Sequence, residues 1–350
     1  MSQFYYSTYP SYLELYASGE LQRRSDELWQ REMRSCLLCP HDCAVDRVAG
    51  HKGVCRSTAD LLITSHNLHW GEEPGLTGTG GAGTIFFANC QGRCMFCQNF
   101  SLSQFSRGKK RTISEMAAMM IDLQQRGAHN IDFVSPTQYM PHIISALLEA
   151  IPLGFRLPLL YNSDGYENLR ALRYLDGVVD IYLPDAKYGD SEIAKKLSGF
   201  PDYVIHNRAA LKEMYRQVGG VIEDEHGIIR RGLIVRHLVL PNGLSQVREV
   251  MQWIGGNLGP DVYVSLMDQY FPAYRAVTDK KWGLNRALRW DEYDAAMQAW
   301  EEAGIEQGYI QDHLSSGEGL AWYGNEEAPA SYEAGEGELT GIIPLVAAER

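Results

Sequence analysis

Three cysteines within one short segment carry the clearest chemical signal in the chain. Cys90, Cys94 and Cys97 are spaced as C-x3-C-x2-C and directly follow an apolar run at residues 84–89. A [4Fe–4S] cluster is normally held by four cysteine thiolates, so three cysteines leave one iron open to another ligand. A structural zinc ion also requires four protein ligands, and this segment has no fourth. The spacing therefore predicts an iron–sulfur site with a reactive open position.

A second cysteine group lies nearer the start of the chain. Cys36, Cys39, Cys43 and Cys55 complete the seven cysteines, all of which precede residue 100. Four thiols in one segment predict a closed site, which is either structural zinc or a second [4Fe–4S] cluster. Zinc sites more often pair their cysteines as two C-x2-C units, which this segment lacks. The cluster is therefore slightly favoured, and both alternatives stay open.

Alternating strand and helix patterns must position these cysteines. Short apolar, β-branched runs predict strands at 84–89, 131–135, 157–162, 178–184, 233–240 and 262–267. Between and after them, helical patterns cover 113–126, 140–150, 166–175, 190–198, 203–218, 244–257 and 290–303. This alternation predicts an α/β fold with a parallel sheet, specifically a partial (β/α)6 TIM-type barrel. In such sheets the chemistry lies at the carboxyl ends of the strands.

The predicted organisation has three parts. Residues 1–75 form an N-terminal helical and cysteine-rich segment that binds a metal or cluster, with helices around 11–34. Residues 76–324 form the barrel, and the glycine-rich stretch 71–84 is predicted to be a flexible connection. Residues 325–350 form an acidic, loosely ordered tail.

The cysteine spacing, with an aromatic residue (Phe96) before the last cysteine, resembles the signature of the radical S-adenosylmethionine (SAM) superfamily. Within it, the chain is similar to pyruvate formate-lyase activating enzyme-like proteins over residues 84–270. Cys97-Gln98-Asn99 resembles the Cys-x-Asn of the activases, and Asp185-Ala186-Lys187 resembles their Asp-x-Lys. Ser163-Asp164-Gly165 occupies the place of a Thr-Asn-Gly turn. Residues 236–241 resemble an Arg-rich strand ending in Pro-Gly, here Pro-Asn.

The resemblance also has departures. The family's Gly-Gly-Glu after the second strand, which holds the SAM amino group, is replaced by residues 135–138, Ser-Pro-Thr-Gln. The four N-terminal cysteines are absent from the simplest activases. Both differences indicate a side branch of the group.

The resemblance implies a function and a set of site residues. Cys90, Cys94 and Cys97 would bind a [4Fe–4S] cluster that cleaves SAM reductively to a 5′-deoxyadenosyl radical, making the protein a radical SAM oxidoreductase. The implied SAM-binding residues are Phe96, Asn99, Ser135, Thr137, Asn162, Asp164, Asp185, Lys187 and Arg236. The implied partners are an unknown substrate and a one-electron reductant such as flavodoxin or ferredoxin. The substrate is a protein glycyl loop, a peptide or a small molecule.

Two other classes of protein compete with this hypothesis. The first is a non-catalytic iron–sulfur carrier or sensor, which would be expected to supply four ligands per cluster, so the loop with three cysteines argues against it. The second is a zinc-binding interaction protein, which the long α/β pattern argues against.

Composition restricts the partners and the location. A formal net charge of −12 argues against a nucleic-acid partner. The dense basic run at 107–111 is predicted to be a solvated loop. No apolar stretch is long enough to span a bilayer, and no signal peptide is recognisable, so we expect a cytoplasmic protein without a membrane partner.

Overall fold

The computed structural model describes residues 9–259 and 261–311 and the short strand at 322–323. These residues form an α/β fold around one open, mostly parallel sheet. The strands are β1 (Leu61–His69), β2 (Ala82–Phe87), β3 (Lys109–Arg111), β4 (Ile131–Val134), β5 (Leu159–Ser163), β6 (Ile181–Pro184), β7 (Ile222–Glu223), β8 (Ile229–Leu238), β9 (Tyr263–Met267), β10 (Gly308–Gln311) and β11 (Trp322–Tyr323).

The sheet order is β11-β10-β9-β8-β6-β5-β4-β2-β1-β3, and β7 pairs with β8. From β2 to β10 the neighbouring strands are parallel, whereas β1, β3, β7 and β11 pair antiparallel. Because β3 and β11 lie at opposite edges and do not pair with each other, the barrel is open. The predicted partial barrel is confirmed, with β10 as one more parallel strand than the sequence predicted.

Eleven α-helices in the described residues connect and flank these strands. They are α1 (Tyr12–Ala17), α2 (Glu20–Glu27), α3 (Pro74–Thr77), α4 (Phe100–Ser103), α5 (Ile113–Gln125), α6 (Met140–Ala150), α7 (Leu169–Leu172), α8 (Ser191–Ser198), α9 (Tyr203–Val218), α10 (Val247–Asn257) and α11 (Trp290–Glu302). A π-helix at Leu28–Glu32 extends α2, and single 3₁₀ turns lie at Thr137–Tyr139, Ile151–Leu153, Arg173–Leu175, Pro241–Gly243 and Tyr274–Thr278. None of the described helices is both long and apolar enough to cross a membrane.

Local signals in the sequence explain where helices start. A capping box begins α5: Thr112 Oγ1 accepts from the Glu115 N–H, and the Glu115 carboxylate accepts from the Thr112 N–H at 2.7 Å. Helix α7 is shorter than the predicted 166–175, because Asn168 caps it and the 3₁₀ turn follows it.

The two faces of the sheet are covered differently. Alternate strand residues such as Tyr161 and Val235 join the main core under the helices, whereas Leu160 and Ile234 form a separate cluster on the concave face. Leu76 of α3 is fully buried in that concave cluster. The prediction of a flexible connection at 71–84 is therefore wrong: residues 71–81, which we call the plug, cover the inside of the barrel.

The N-terminal helices belong to the same core as the barrel. Tyr12 of α1 is fully buried, and its hydroxyl donates to the Leu157 carbonyl at 2.9 Å. Ser11 donates through its hydroxyl to the Asp180 carboxylate at 2.5 Å, and Arg231 donates to the same hydroxyl at 2.8 Å. The predicted boundary at residue 75 stays a prediction, and the predicted tail at 325–350 lies outside the described residues.

Candidate functional site

The cysteine loop follows β2 directly and is firmly docked. Cys90 and Cys94 are buried and Cys97 is half-buried. The N–H groups of Arg93 and Met95 donate to the carbonyls of Ser198 and Leu197 at 2.7 and 2.8 Å. The loop is therefore anchored to the end of α8, at the carboxyl edge of the sheet.

Glycine is required within this loop. The Gly92 N–H donates to Cys90 Sγ at 3.2 Å, and a Cβ at this position would lie 2.8 Å from the Phe200 ring. A backbone N–H directed at a cysteine sulfur is the type of hydrogen bond that tunes a metal or cluster site.

The three thiols are suited to a cluster and unsuited to remaining free anions. Burial, followed by the charge of Asp164, raises the pKa of Cys90 well above its usual value. Burial also raises the pKa of Cys94 to about 12, against the opposing effect of Lys187. Binding a positively charged cofactor would displace the protons, because metals take cysteine as thiolate. Three cysteine sulfurs on one loop are chemically the donor set for a [4Fe–4S] cluster with one open iron.

Charged side chains from two other strand ends meet at this loop. Cys90 Sγ donates to the Asp164 carboxylate at 3.0 Å, and Lys187 Nζ lies 3.2 Å from the same carboxylate. Lys187 also pairs with Asp185. Burial lowers the pKa of Lys187, but Asp185 and Asp164 outweigh this effect and raise it well above its usual value. The structure thus brings together three predicted residues beside Cys90.

The loop after β4 contributes hydroxyl groups, and the segment after β5 contributes a carboxyl, Glu167, that the sequence analysis missed. Ser135 adopts a left-handed backbone, and its N–H donates to the Asn162 carbonyl at 3.0 Å. Thr137 Oγ1 donates to Glu167 at 2.7 Å, and Gln91 of the cysteine loop donates to the same carboxyl at 3.4 Å. Burial raises the pKa of Glu167 to about 8. A buried carboxyl therefore lies beside the segment that replaces the family's Gly-Gly-Glu.

Arg236 and Asn162 lie on the concave side of the sheet. Arg236 donates two hydrogen bonds to Glu73, at 2.7 and 2.6 Å, and also pairs with Glu72. Asn162 donates to Asp132 at 3.4 Å. Arg236 is thus held by the two glutamates of the plug, neither of which the sequence analysis singled out.

The remaining predicted residues flank the loop. Phe96 is buried, with its ring centroid 6.1 Å from that of Tyr270. Asn99 precedes α4, and its carbonyl accepts from the N–H groups of Leu102 and Ser103 at 3.1 and 3.0 Å. Both residues stabilise the segment that carries Cys97.

The N-terminal cysteine segment packs against the same loop. Cys36 and Cys55 are buried and Cys39 and Cys43 are half-buried. Burial raises the pKa of Cys36 and raises that of Cys39 well above its usual value, and the charge of Cys55 raises both. His41 Nε2 lies 3.0 Å from the Gln91 carbonyl, which joins the two cysteine groups.

Within the described residues, no three His, Cys, Asp or Glu side chains converge as ligands of a metal ion. A [4Fe–4S] cluster does not require its thiolates to converge on one ion, because each thiolate binds a different iron.

Comparison with known proteins identifies an archaeal relative. The chain is 32% identical over 293 residues to the uncharacterised protein MJ0674 of Methanocaldococcus jannaschii, covering 80% of this chain and 78% of that protein. The chain belongs to the family of this archaeal protein. No model of a known protein family matches the chain.

Three solved structures share a distant likeness. A structure of TYW1 with a lysine-pyruvate adduct has a TM-score of 0.40 and 10% identity, covering 66% of this chain and 76% of that one. The hydrogenase maturase HydG from Carboxydothermus hydrogenoformans has a TM-score of 0.45 and 12% identity, covering 64% and 52%. A spore photoproduct lyase variant has a TM-score of 0.39 and 11% identity, covering 64% and 74%. Likeness at this level does not by itself indicate a shared activity.

Proposed function

We propose that this protein is a radical SAM enzyme. Cys90, Cys94 and Cys97 would hold a [4Fe–4S] cluster whose fourth iron takes SAM. The observation that carries the proposal is the position of three buried thiols on one docked loop. That loop follows the first parallel strand of an open barrel, and charged groups from two further strand ends face it.

The chain's own residues supply binding, orientation and dryness. When bound, the cluster and SAM would supply one-electron chemistry, the reductive cleavage of SAM to methionine and a 5′-deoxyadenosyl radical. Asp164, Asp185 and Lys187 offer both charge signs for the ammonium and carboxylate of SAM. Burial of this charged group excludes water, which would otherwise compete for those contacts.

The loop after β4 would hold SAM differently from the activases. Ser135 and Thr137 replace the Gly-Gly-Glu, so hydroxyls and carbonyls would bind the amino group. Asn162 and Arg236 lie deeper in the barrel, where Arg236 is already paired with the plug.

The radical would take a hydrogen atom from a substrate that the sequence does not identify. An activase-like role, with a protein glycyl loop as substrate, follows from the family resemblance. The plug supports the alternative of a small molecule or peptide, because α3 already fills part of the concave face.

We also propose that Cys36, Cys39, Cys43 and Cys55 hold a second metal centre. A second [4Fe–4S] cluster is favoured slightly over zinc. The contact between His41 and Gln91 supports a centre that lies against the catalytic loop.

The deciding experiment is anaerobic reconstitution followed by reduction with dithionite in the presence of SAM. We expect 5′-deoxyadenosine from the native protein and from Met95→Ala, whose half-buried side chain lies in the same loop but is no thiol. Cys94→Ala should lose both the product and the spectrum of the cluster at this loop. A cluster that forms but never cleaves SAM would refute the enzyme and favour an electron carrier or sensor.

A further inference from the structure

An exposed patch of aromatic and basic side chains lies beside the cysteine loop. We define the basic aromatic patch as Phe100, Phe105, Arg107, Lys109, Tyr274 and Arg275. Phe105 is 54% exposed although it is apolar. The rings of Phe100 and Tyr274 stack with centroids 5.4 Å apart, and Phe105 meets both rings edge-on. The three rings thus pack into one surface, and aromatic residues and arginine are enriched at protein interfaces.

The patch is physically continuous with the cysteine loop. Ser103, between Phe100 and Phe105 in the chain, places its Oγ 3.1 Å from Cys97 Sγ. The Ala276 N–H donates to the Met95 carbonyl at 2.8 Å, and Arg275 donates to the Arg93 carbonyl at 2.9 Å. Only one layer of residues therefore separates Cys97 from a partner seated on the patch.

The charge of the patch opposes that of the whole chain. The chain carries −12 overall, yet Arg107, Lys109 and Arg275 are exposed cations. Within residues 9–259 and 261–311, no ion pair joins them to a carboxylate, whereas Lys110 pairs with Asp60 and Arg111 with Glu115. Arg275 instead lies 5.3 Å over the Tyr274 ring. Three positive charges without a carboxylate partner among the described residues favour an acidic partner surface.

We infer that the basic aromatic patch is the docking surface for an acidic one-electron carrier protein of the flavodoxin or ferredoxin class. The inference rests on the proposed function, because cleavage of SAM consumes an electron that must arrive from outside. In this step the carrier loses one electron and the cluster at Cys90, Cys94 and Cys97 gains it, with no bond made or broken. An acidic carrier fits better than a nucleic acid, since the strongly negative chain would repel an extended polyanion beyond three cations.

The test compares two reductants that reach the same cluster. The patch variant is Arg107→Glu and Lys109→Glu combined, which leaves Arg275 and its hydrogen bond to the Arg93 carbonyl in place. The control variant is Arg173→Glu and Lys212→Glu, which has the same charge change at exposed positions elsewhere. Cluster reduction and 5′-deoxyadenosine formation are followed with flavodoxin hydroquinone and, separately, with dithionite, which needs no docking surface.

We expect the patch variant to lose roughly tenfold or more in kcat/KM for flavodoxin at low salt. Its dithionite rate should equal that of the native protein, and high salt should shrink the difference because it screens the charges. Phe105→Ala should lower the rate with flavodoxin but not the rate with dithionite, which separates the contribution of the aromatic ring from that of the charges. Equal losses in the control variant, or no loss in the patch variant, would overturn the inference.

Two further outcomes are distinguishable. Absence of 5′-deoxyadenosine with both reductants in the native protein would refute the proposed function itself. Binding of a labelled single-stranded RNA that only the patch variant loses, with unchanged flavodoxin kinetics, would assign the patch to nucleic acid and overturn the carrier.

Discussion

The ion pairs between Arg236 and the plug allow a quantitative prediction. Arg236→Met keeps an unbranched side chain but removes the charge that neutralises Glu72 and Glu73. The Glu73 side chain is fully buried and that of Glu72 is 9% exposed. Breaking a buried pair strands a charge and costs about 3–5 kcal/mol, out of a typical total of about 5–15 kcal/mol.

The assay is urea unfolding of the reduced, metal-free protein, followed by far-UV circular dichroism. A matched control is Arg216→Met, because Arg216 also pairs with two carboxylates, Asp176 and Glu213, but is 53% exposed. Exposed pairs contribute about 0–1 kcal/mol, so this variant should lie close to the native protein.

The pH dependence of the free energy of unfolding, together with a double variant, tests whether the unpaired carboxylates cause the loss of stability in Arg236→Met. Burial opposes ionisation of Glu72, yet Arg236 and His69 lower its pKa to about 2. Without Arg236 the folded-state pKa of Glu72 rises and the folded variant binds more protons. The loss of stability relative to the native protein therefore shrinks as the pH falls from 8 to 5. Arg236→Met combined with Glu73→Gln should recover at least half of the loss. A loss for Arg236→Met no larger than for Arg216→Met would refute the assignment of the plug as a buried, charge-held element.

Three further predictions test other parts of the molecule. Burial raises the pKa of Asp180 to about 6, so the folded state keeps the Asp180 proton to a higher pH than the unfolded state does. Lowering the pH from 7 to 5 should therefore raise the free energy of unfolding of the native protein, relative to that of Asp180→Asn, by about 1.4 kcal/mol. Urea titration at both pH values measures this difference, and equal pH slopes for the two proteins would contradict the prediction. Glu167→Gln should have a melting temperature near that of the native protein, because Glu167 is protonated near neutral pH. Glu167→Ala removes the hydrogen-bond acceptor of Thr137 and should lower the free energy of unfolding by about 1–3 kcal/mol. Similar melting temperatures for the two variants would contradict this prediction. Metal analysis of the reconstituted protein should give about eight irons if the N-terminal cysteines hold a second cluster, or about four irons with one zinc, and Cys39→Ala should remove only that second metal.

Six of the seven parallel strands of the fold were predictable because buried strands have continuous apolar runs. Two missed strands next to each other at one side of the sheet have other patterns: β1 is half-buried along most of its length, and β3 consists of Lys109, Lys110 and Arg111. β10 has only four residues. Their places in the sheet depend on partners distant in sequence, which local patterns do not reveal.

The plug was misinterpreted because glycine has two uses. We treated the glycines of 71–84 as a sign of flexibility, whereas some of them permit close packing. A Cβ on Gly80 would lie 2.1 Å from the Gly127 carbonyl oxygen, and one on Gly83 would lie 2.7 Å from that of Asn130. Only the folded structure distinguishes these uses.

Part of the candidate site was predictable from the sequence and part was not. The cysteine loop was predictable because its ligands lie within eight residues of one another. Glu167 was not, since it reaches Gln91 from 76 positions away, and Glu73 lies 163 positions from Arg236. A single acidic residue in a helical pattern carries no local mark of such a contact.

The attachment of the N-terminal helices has a consequence for biogenesis. Tyr12 and Ser11 contact Leu157, Asp180 and Arg231, which are separated from them by 145 to 220 positions. At about 5–20 residues per second, synthesis of the chain from Cys55 to Arg231 takes roughly 10 to 35 seconds. During that interval Cys36, Cys39, Cys43 and Cys55 are without their final packing. We therefore expect this group to be accessible to metal-delivery proteins, and to oxidants, before the barrel is complete.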